Sequence, residues 1–178
     1  MKKLLALGFV LTLAGCADSH NLNVSSNEVV NKIPKTSSVY IALSLDGSYG
    51  NKNYRGSGAL LSSVIKSSLL TKMNDISVAS RTESLQQSIS YAKRNHYDYV
   101  FYPTIMHWED RATEWSAKAD KVEVKIVTWD VRRNMELSSV IIDSTSGLAT
   151  LGGDHPQDLL PKPVGAYVDN LFTSPVRR

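Results

Sequence analysis

Apolar and polar positions between residues 39 and 173 alternate with two periods, one typical of buried strands and one typical of amphipathic helices. Residues 39–45 are almost entirely apolar, which predicts a strand covered on both faces. Leu61, Val64, Ile65 and Leu69 recur at helical spacing. The whole pattern predicts strands at 39–45, 76–79, 98–106, 121–130 and 137–145, and helices at 59–73, at 164–172 and along the face formed by Leu85, Ile89 and Ala92.

Short polar signals mark the ends of these elements. The spacing of Ser80 and Glu83 predicts a capping box before the second helix, and Asn95 is expected to end that helix. Pro103 cannot donate to a ladder, so a bulge or a strand edge is expected there. Residues 132–134 are expected to turn between the last two strands. The order is βαβαβββα, which predicts a mixed α/β fold with a five-stranded mixed sheet and helices packed on it.

The amino terminus has the pattern of a bacterial export signal. Lys2 and Lys3 precede an apolar segment at 4–14, which is too short to span a bilayer. The segment ends in Leu-Ala-Gly-Cys, which resembles the lipobox of bacterial lipoproteins. That resemblance implies cleavage between Gly15 and Cys16, a diacylglycerol on the Cys16 sulfur, and an acyl chain such as palmitate on the new amino terminus. Residues 1–15 are therefore interpreted as a signal peptide.

The residues that follow the signal suggest a lipid anchor and a cellular location. Residues 16–38 are mostly polar and are predicted to be the lipidated cysteine and a flexible tether that holds the domain off the membrane. Residues 39–173 form the predicted periplasmic domain, and 174–178 a tail. The residue after the cysteine is Ala17 rather than an aspartate, whose presence resembles an inner-membrane retention signal. The outer membrane, facing the periplasm, is therefore the expected location, ahead of the inner membrane.

Charge and cysteine content narrow the class of protein. The chain has 178 residues, a formal net charge of +3 and one cysteine. Lys2 and Lys3 would leave with the signal, so too little positive charge remains for a nucleic-acid-binding surface. If Cys16 is lipidated, no thiol is left for a disulfide. Stability must then come from a packed core, for which the chain is long enough.

Two stretches carry a resemblance at the level of the fold. Residues 97–100 (Tyr-Asp-Tyr-Val) and 122–131, a strand that ends in Asp-Val before a turn, resemble the periplasmic domains of the curli secretion lipoprotein CsgG, the penicillin-binding-protein activator LpoB and the N-terminal part of TolB. Residues 102–105 and 152–158 resemble more closely an uncharacterised family of proteobacterial lipoproteins that is known only as a domain of unknown function. These resemblances imply a fold and an envelope location without an activity.

Candidate chemistry is sparse. His107 and Glu109 share one face of a predicted strand, and His155 lies in a loop, but no metal-binding or nucleophile-elbow motif is present. We therefore predict no catalytic residue, no metal and no cofactor. The glycine-rich loop at 47–58 is interpreted as a turn rather than an anion site. A segment with two tryptophans among charges supplies the candidate partner-binding residues, either as an interface or as part of the core: Trp108, Glu109, Asp110 and Trp115.

These features favour a membrane-anchored binding or assembly module. Its partner would be an envelope machine for secretion, polysaccharide export or peptidoglycan synthesis, and it would act by contact. Two alternatives stay open. One is an envelope hydrolase that uses His107 or His155. The other is a homo-oligomeric structural lipoprotein.

Overall fold

Eight strands and three helices make up the part of the chain that the structure, a computed structural model, describes: residues 18–26, 32–110, 119–147 and 155–172. Cys16, Gly15 and Trp115 lie outside these residues. The strands are β1 (Ser19–Ser26), β2 (Val39–Leu43), β3 (Gly47–Tyr49), β4 (Lys52–Tyr54), β5 (Ile76–Thr82), β6 (Tyr99–Glu109), β7 (Lys121–Asp130) and β8 (Met135–Thr145). The helices are α1 (Ser57–Leu70), α2 (Leu85–Arg94) and α3 (Pro161–Phe172).

Six strands form one mixed sheet in the order β1-β8-β7-β6-β2-β5. β2 pairs in parallel with β5 and β6, while β1, β8, β7 and β6 are successively antiparallel. α1 lies between β2 and β5 in the chain, and both α1 and α2 lie between β2 and β6, so each parallel pair is joined by a long connection that contains a helix. β3 and β4 form a separate small hairpin. The predicted mixed α/β class is confirmed, with one more strand in the main sheet than the sequence pattern indicated.

The additional strand corrects the prediction of a flexible tether. Ser19–Ser26 pairs along its whole length with β8, from Ser19 opposite Thr145 to Ser26 opposite Ser138. Downstream, Ile33 is buried in the core and its N–H donates to the Leu171 carbonyl at 3.1 Å. The polar composition misled the prediction because an edge strand needs only one apolar face, and here Leu22 alone packs against the core from β1.

The two faces of the sheet are covered differently. α1 and α3 pack side by side on one face and bury Leu61, Ile65 and Tyr167 against the alternating apolar side chains of β6, β7 and β8. α2 packs on the opposite face over β2 and β6, where Ala92 meets Tyr40 and Val100 in a second, smaller core. Of the three described helices, α2 alone packs on the second face, on the side of the sheet that contains β2 and β6.

Most local signals behave as predicted, but the capping box lies elsewhere. Ser84 caps α2, with its side chain accepting from the Gln87 N–H at 3.3 Å, and Gln87 accepts from the Ser84 N–H at 2.8 Å. Ser80 instead belongs to β5, which continues to Thr82 because β2 offers it a pairing partner as far as Leu43. Asn95 ends the helix as expected.

The glycine-rich loop before α1 is held by its own carboxylate. Asp46 accepts from the N–H groups of Gly56 at 3.1 Å and Gly58 at 2.9 Å, and the Ser57 hydroxyl accepts from the Gly47 N–H at 2.8 Å. Asp46 thus occupies the position that an anion would take at a helix start. The interpretation of this loop as a turn rather than an anion site agrees with that contact.

An ionic contact closes the sheet end where β2, β6 and the turn after β7 meet. Asp98 accepts from the Ser38 N–H at 2.9 Å and from the Arg132 guanidinium at 2.6 and 3.0 Å. Burial by itself raises the pKa of Asp98, but these hydrogen bonds outweigh it and hold the pKa below its ordinary value.

The direction of this shift fixes how stability depends on pH. A carboxyl whose pKa is lower in the folded state stabilises the fold fully above its unfolded pKa, about 3.9, and this contribution is lost as pH falls through the folded value. We expect Asp98→Asn to lower the free energy of unfolding by about 2 kcal/mol at pH 7 and to flatten the loss of stability below pH 4. Urea unfolding at pH 7 and pH 3 measures both effects.

Asp169→Asn is the matched control. Asp169 pairs with Lys72 at 2.7 Å on the surface, where its side chain is 58% exposed. Solvent screening limits such a pair to about 1 kcal/mol or less. An acid profile of Asp98→Asn that superimposes on that of the unsubstituted protein would contradict the role given to Asp98.

Candidate functional site

The sequence placed its candidate residues at the end of β6, and the structure divides them between core and surface. Trp108 is 3% exposed and packs in the main core beneath β3. It faces α1 and α3 because a bulge between Ile105 and His107 shifts the alternation of the strand by one position. The prediction that Trp108 binds a partner is wrong, and the alternative interpretation of this ring as core is confirmed.

Glu109, the second partner-binding candidate, is also buried, with 4% of its surface exposed. Its carboxylate lies 3.3 Å from His107 Nε2. Tyr49 of β3 meets the His107 ring edge-to-face, with the ring centroids 5.1 Å apart. A buried carboxylate that is held by a histidine on the same strand supports the fold and presents no surface to a partner, so the interface prediction fails for Glu109 as well.

Asp110 is the described candidate that retains a partly exposed side chain. It lies 3.5 Å from His155 Nδ1, and its N–H donates to the Tyr54 hydroxyl at 3.2 Å. The two histidines named for a hydrolase therefore each face a different carboxylate. Among the described residues, no three histidine, cysteine, aspartate or glutamate side chains form a group that could hold a metal.

A sheet surface that the sequence analysis did not single out is a stronger candidate for contact. On the face that carries α2, the side chains beyond the helix come from β1, β8 and β7. One cross-strand row contains Asn23, Ile141 and Lys125, and the next contains Ser25, Ser139 and Val127. We call these six residues the open face. Ile141 and Lys125 are half-buried, and the β1 side chains are exposed.

One polar group at the border of the open face is unsatisfied. Trp129 packs with the small core under α2, and its indole N–H is buried with no hydrogen-bond partner in the described part of the chain. Buried donors are nearly always paired in folded proteins. No orientation was predicted for Trp129 from the sequence, and its missing partner becomes visible only in three dimensions.

A groove of about 570 Å³ runs between the end of β5 and α2. Its lining is polar and includes Arg81, Arg94 and Tyr91. Glu83, which also lines the groove, accepts a hydrogen bond from the Tyr40 hydroxyl at 3.1 Å. Burial and the Glu83 carboxylate together raise the pKa of Tyr40, so this phenol keeps its proton and acts as a donor. The groove therefore has the character of a solvated surface with an internal hydrogen bond.

Sequence comparison assigns the chain to a family. The family described as a domain of unknown function, DUF4823, matches residues 31–171. The chain belongs to this family. The DUF4823 match begins just before Ile33 and ends at Leu171, the two residues joined by a backbone hydrogen bond, and it leaves β1 outside. The expected membership of a family of unknown function is confirmed. No curated protein sequence matches the chain.

Solved structures show the same fold at low sequence identity. PelC from Paraburkholderia phytofirmans, solved as a dodecamer, is similar with a TM-score of 0.68 and 12% identity over 88% of this chain and 99% of that chain. A Xanthomonas campestris protein of the family DUF330 has a TM-score of 0.50 and 11% identity over 83% and 89%. The lipoprotein GNA1162 from Neisseria meningitidis has a TM-score of 0.49 and 16% identity over 76% and 98%.

A membrane link through a helix finds no support in the described residues. None of the helices there combines the length and the apolar character needed to cross a bilayer.

Proposed function

We propose that this DUF4823 protein is a lipid-anchored envelope lipoprotein that acts by contact, as an assembly module that binds further copies of itself. The observation that carries the proposal is the fold shared with PelC. The match covers nearly all of the PelC chain, and PelC was solved as a dodecamer. The lipobox at Leu13–Cys16 supplies the anchor. The outer membrane, facing the periplasm, is the proposed location because Ala17 follows the cysteine.

The open face is the surface that we assign to contact between copies. It combines the half-buried apolar Ile141 with polar neighbours, while Val127 beside them is already buried within the domain, and it borders the unsatisfied indole N–H of Trp129. Interfaces of this mixed character are typical of subunits that also meet solvent. A neighbouring copy seated here would cover the half-buried Ile141.

Contact rather than catalysis is the proposed mode of action. The two histidines considered for a hydrolase belong to different pairs, and the carboxylate beside His107 is almost fully buried. A binding role needs no cofactor and no nucleic acid. The envelope machine that such an assembly serves stays a prediction among secretion, polysaccharide export and peptidoglycan synthesis, as does the resemblance to CsgG, LpoB and TolB.

Solution mass tests the self-association. We expect the detergent-solubilised mature protein to form multimers by native mass spectrometry, and Ile141→Lys to weaken them at least tenfold, because a lysine would bring an unpaired charge into the contact. Met135→Lys is the control, since it places the same charge on the same strand beyond the open face, where Met135 is 40% exposed.

Two results would contradict the proposal. A monomer at all concentrations would remove self-association altogether. Equal multimers for Ile141→Lys and Met135→Lys would leave self-association in place but move it away from the open face.

A further inference from the structure

The first ordered strand of the domain begins almost at the proposed anchor. Asp18 is fixed to the sheet because its carboxylate accepts from the Gly147 N–H at 3.2 Å, and Ser19 is paired with Thr145. Only Ala17 separates Asp18 from Cys16. Two residues of extended chain reach about 7 Å. A lipidated Cys16 therefore has no tether with which to hold the domain away from the bilayer.

Because the connection is short, the end of the sheet that contains Ser19 must lie close to the lipidated cysteine. The register places Ser19, Thr145, Lys121 and Glu109 in one row across β1, β8, β7 and β6. With strands about 4.8 Å apart, the row extends roughly 15 Å from the anchored edge. We call this row, with Asp18 and Gly147, the anchor end. The turn after β7 lies at the other end of the same strands, about 30 Å away.

The beginning of α3 lies beside the same end. His20 is held by Ser144 at 2.9 Å, and burial together with the nearby Lys162 lowers the pKa of this histidine. Lys162 is the second residue of α3, and Lys121 at the start of β7 is exposed. The anchor end thus carries two exposed lysines, whose charges are complementary to lipid phosphates. It also carries the exposed carboxylate of Asp18, which accepts from the Gly147 N–H.

We propose that the anchor end rests against the phospholipid surface, with Lys121 and Lys162 at the headgroups and the Arg132–Asn134 turn pointing away from the membrane. The orientation rests on the lipid anchor proposed above. It presents the open face and the α2 groove sideways, roughly perpendicular to the bilayer. Neighbouring anchored copies can then meet through these surfaces without leaving the membrane.

Fluorophores attached to single introduced cysteines test this orientation, because a spin label in the lipid headgroups quenches the probes that lie near the membrane. Lipidation occupies the Cys16 sulfur, the single cysteine of the sequence, so a new cysteine is the one free thiol. Lys121→Cys reports the anchor end, Met135→Cys the opposite end, and Ser25→Cys the far part of β1. Each is labelled in the lipidated protein, which is reconstituted into phosphatidylethanolamine–phosphatidylglycerol vesicles that contain a headgroup spin label.

We expect the probe at position 121 to be quenched at least threefold more strongly than the probes at positions 25 and 135. Equal quenching at 121 and 135 would overturn the orientation. Quenching at 25 as strong as at 121 would also overturn it, because β1 would then lie flat along the membrane. Protein that does not float with the vesicles at all would overturn the anchor and the orientation together, whereas protein that floats with the wrong probe order overturns the orientation alone.

Discussion

Replacing Cys16 with serine is expected to move the protein from the membrane to the soluble periplasmic fraction. Serine offers no sulfur for the diacylglycerol, and stable anchoring of a lipoprotein requires more than one acyl chain in the bilayer. Fractionation of cells and incorporation of labelled palmitate measure the two parts of the effect.

Ser19→Ala is the control for the cysteine substitution. It changes a neighbouring exposed residue and leaves the Leu-Ala-Gly-Cys motif intact, so both the membrane fraction and the palmitate label should persist. If Cys16→Ser protein still sediments with membranes and carries palmitate, the interpretation of the amino terminus as a lipoprotein signal is incorrect.

Gly58→Ala is expected to cause the largest loss of stability among the substitutions considered for the folded domain. A Cβ at this position would overlap the Ser44 carbonyl oxygen and lie 2.9 Å from its carbon. Both obstacles are backbone atoms, so α1 would have to move away from the end of β2 and strain the contacts of Asp46. We expect the free energy of unfolding to fall by about 3 kcal/mol, measured by urea denaturation.

The same substitution in α3 gives the opposite expectation. A Cβ on Gly165 would meet no atom within 4 Å, and alanine is the better helix former by about 0.5–1 kcal/mol. Gly165→Ala should therefore stabilise the protein slightly. A Gly58→Ala protein that unfolds within 1 kcal/mol of the unsubstituted chain would show that the approach of α1 to β2 tolerates a methyl group.

Sequence periodicity is sufficient to predict the elements that bury their own apolar side chains. β7 was predicted at its observed bounds because Val122, Val124 and Ile126 alternate with charged residues, and a strand with one wet face leaves that signature. α1 and α3 were equally visible from their apolar stripes. These elements bury their own apolar side chains, so the information lies within the segment.

Other features depend on partners that are distant in the sequence. β1 has too few apolar residues to be predicted as a strand from its sequence. It forms because it pairs with the edge of β8, more than a hundred residues later in the chain. Trp108 joins the core because a bulge reverses the alternation of β6, and a bulge of this kind has no fixed sequence signal. The open face and the groove beside α2 follow from which strands the helices leave uncovered.

The pairing of β1 with β8 also bears on the order of events during folding. His20 meets Ser144 across 124 residues of chain, so β1 cannot complete the sheet until β8 has emerged. Closing so long a loop is entropically costly and slow, whereas the β7–β8 hairpin needs only a four-residue turn. Signal cleavage and acylation at Cys16 would therefore act on a segment that is still unpaired. With the lipid anchor proposed above, late docking of β1 would bring the finished domain close to the bilayer.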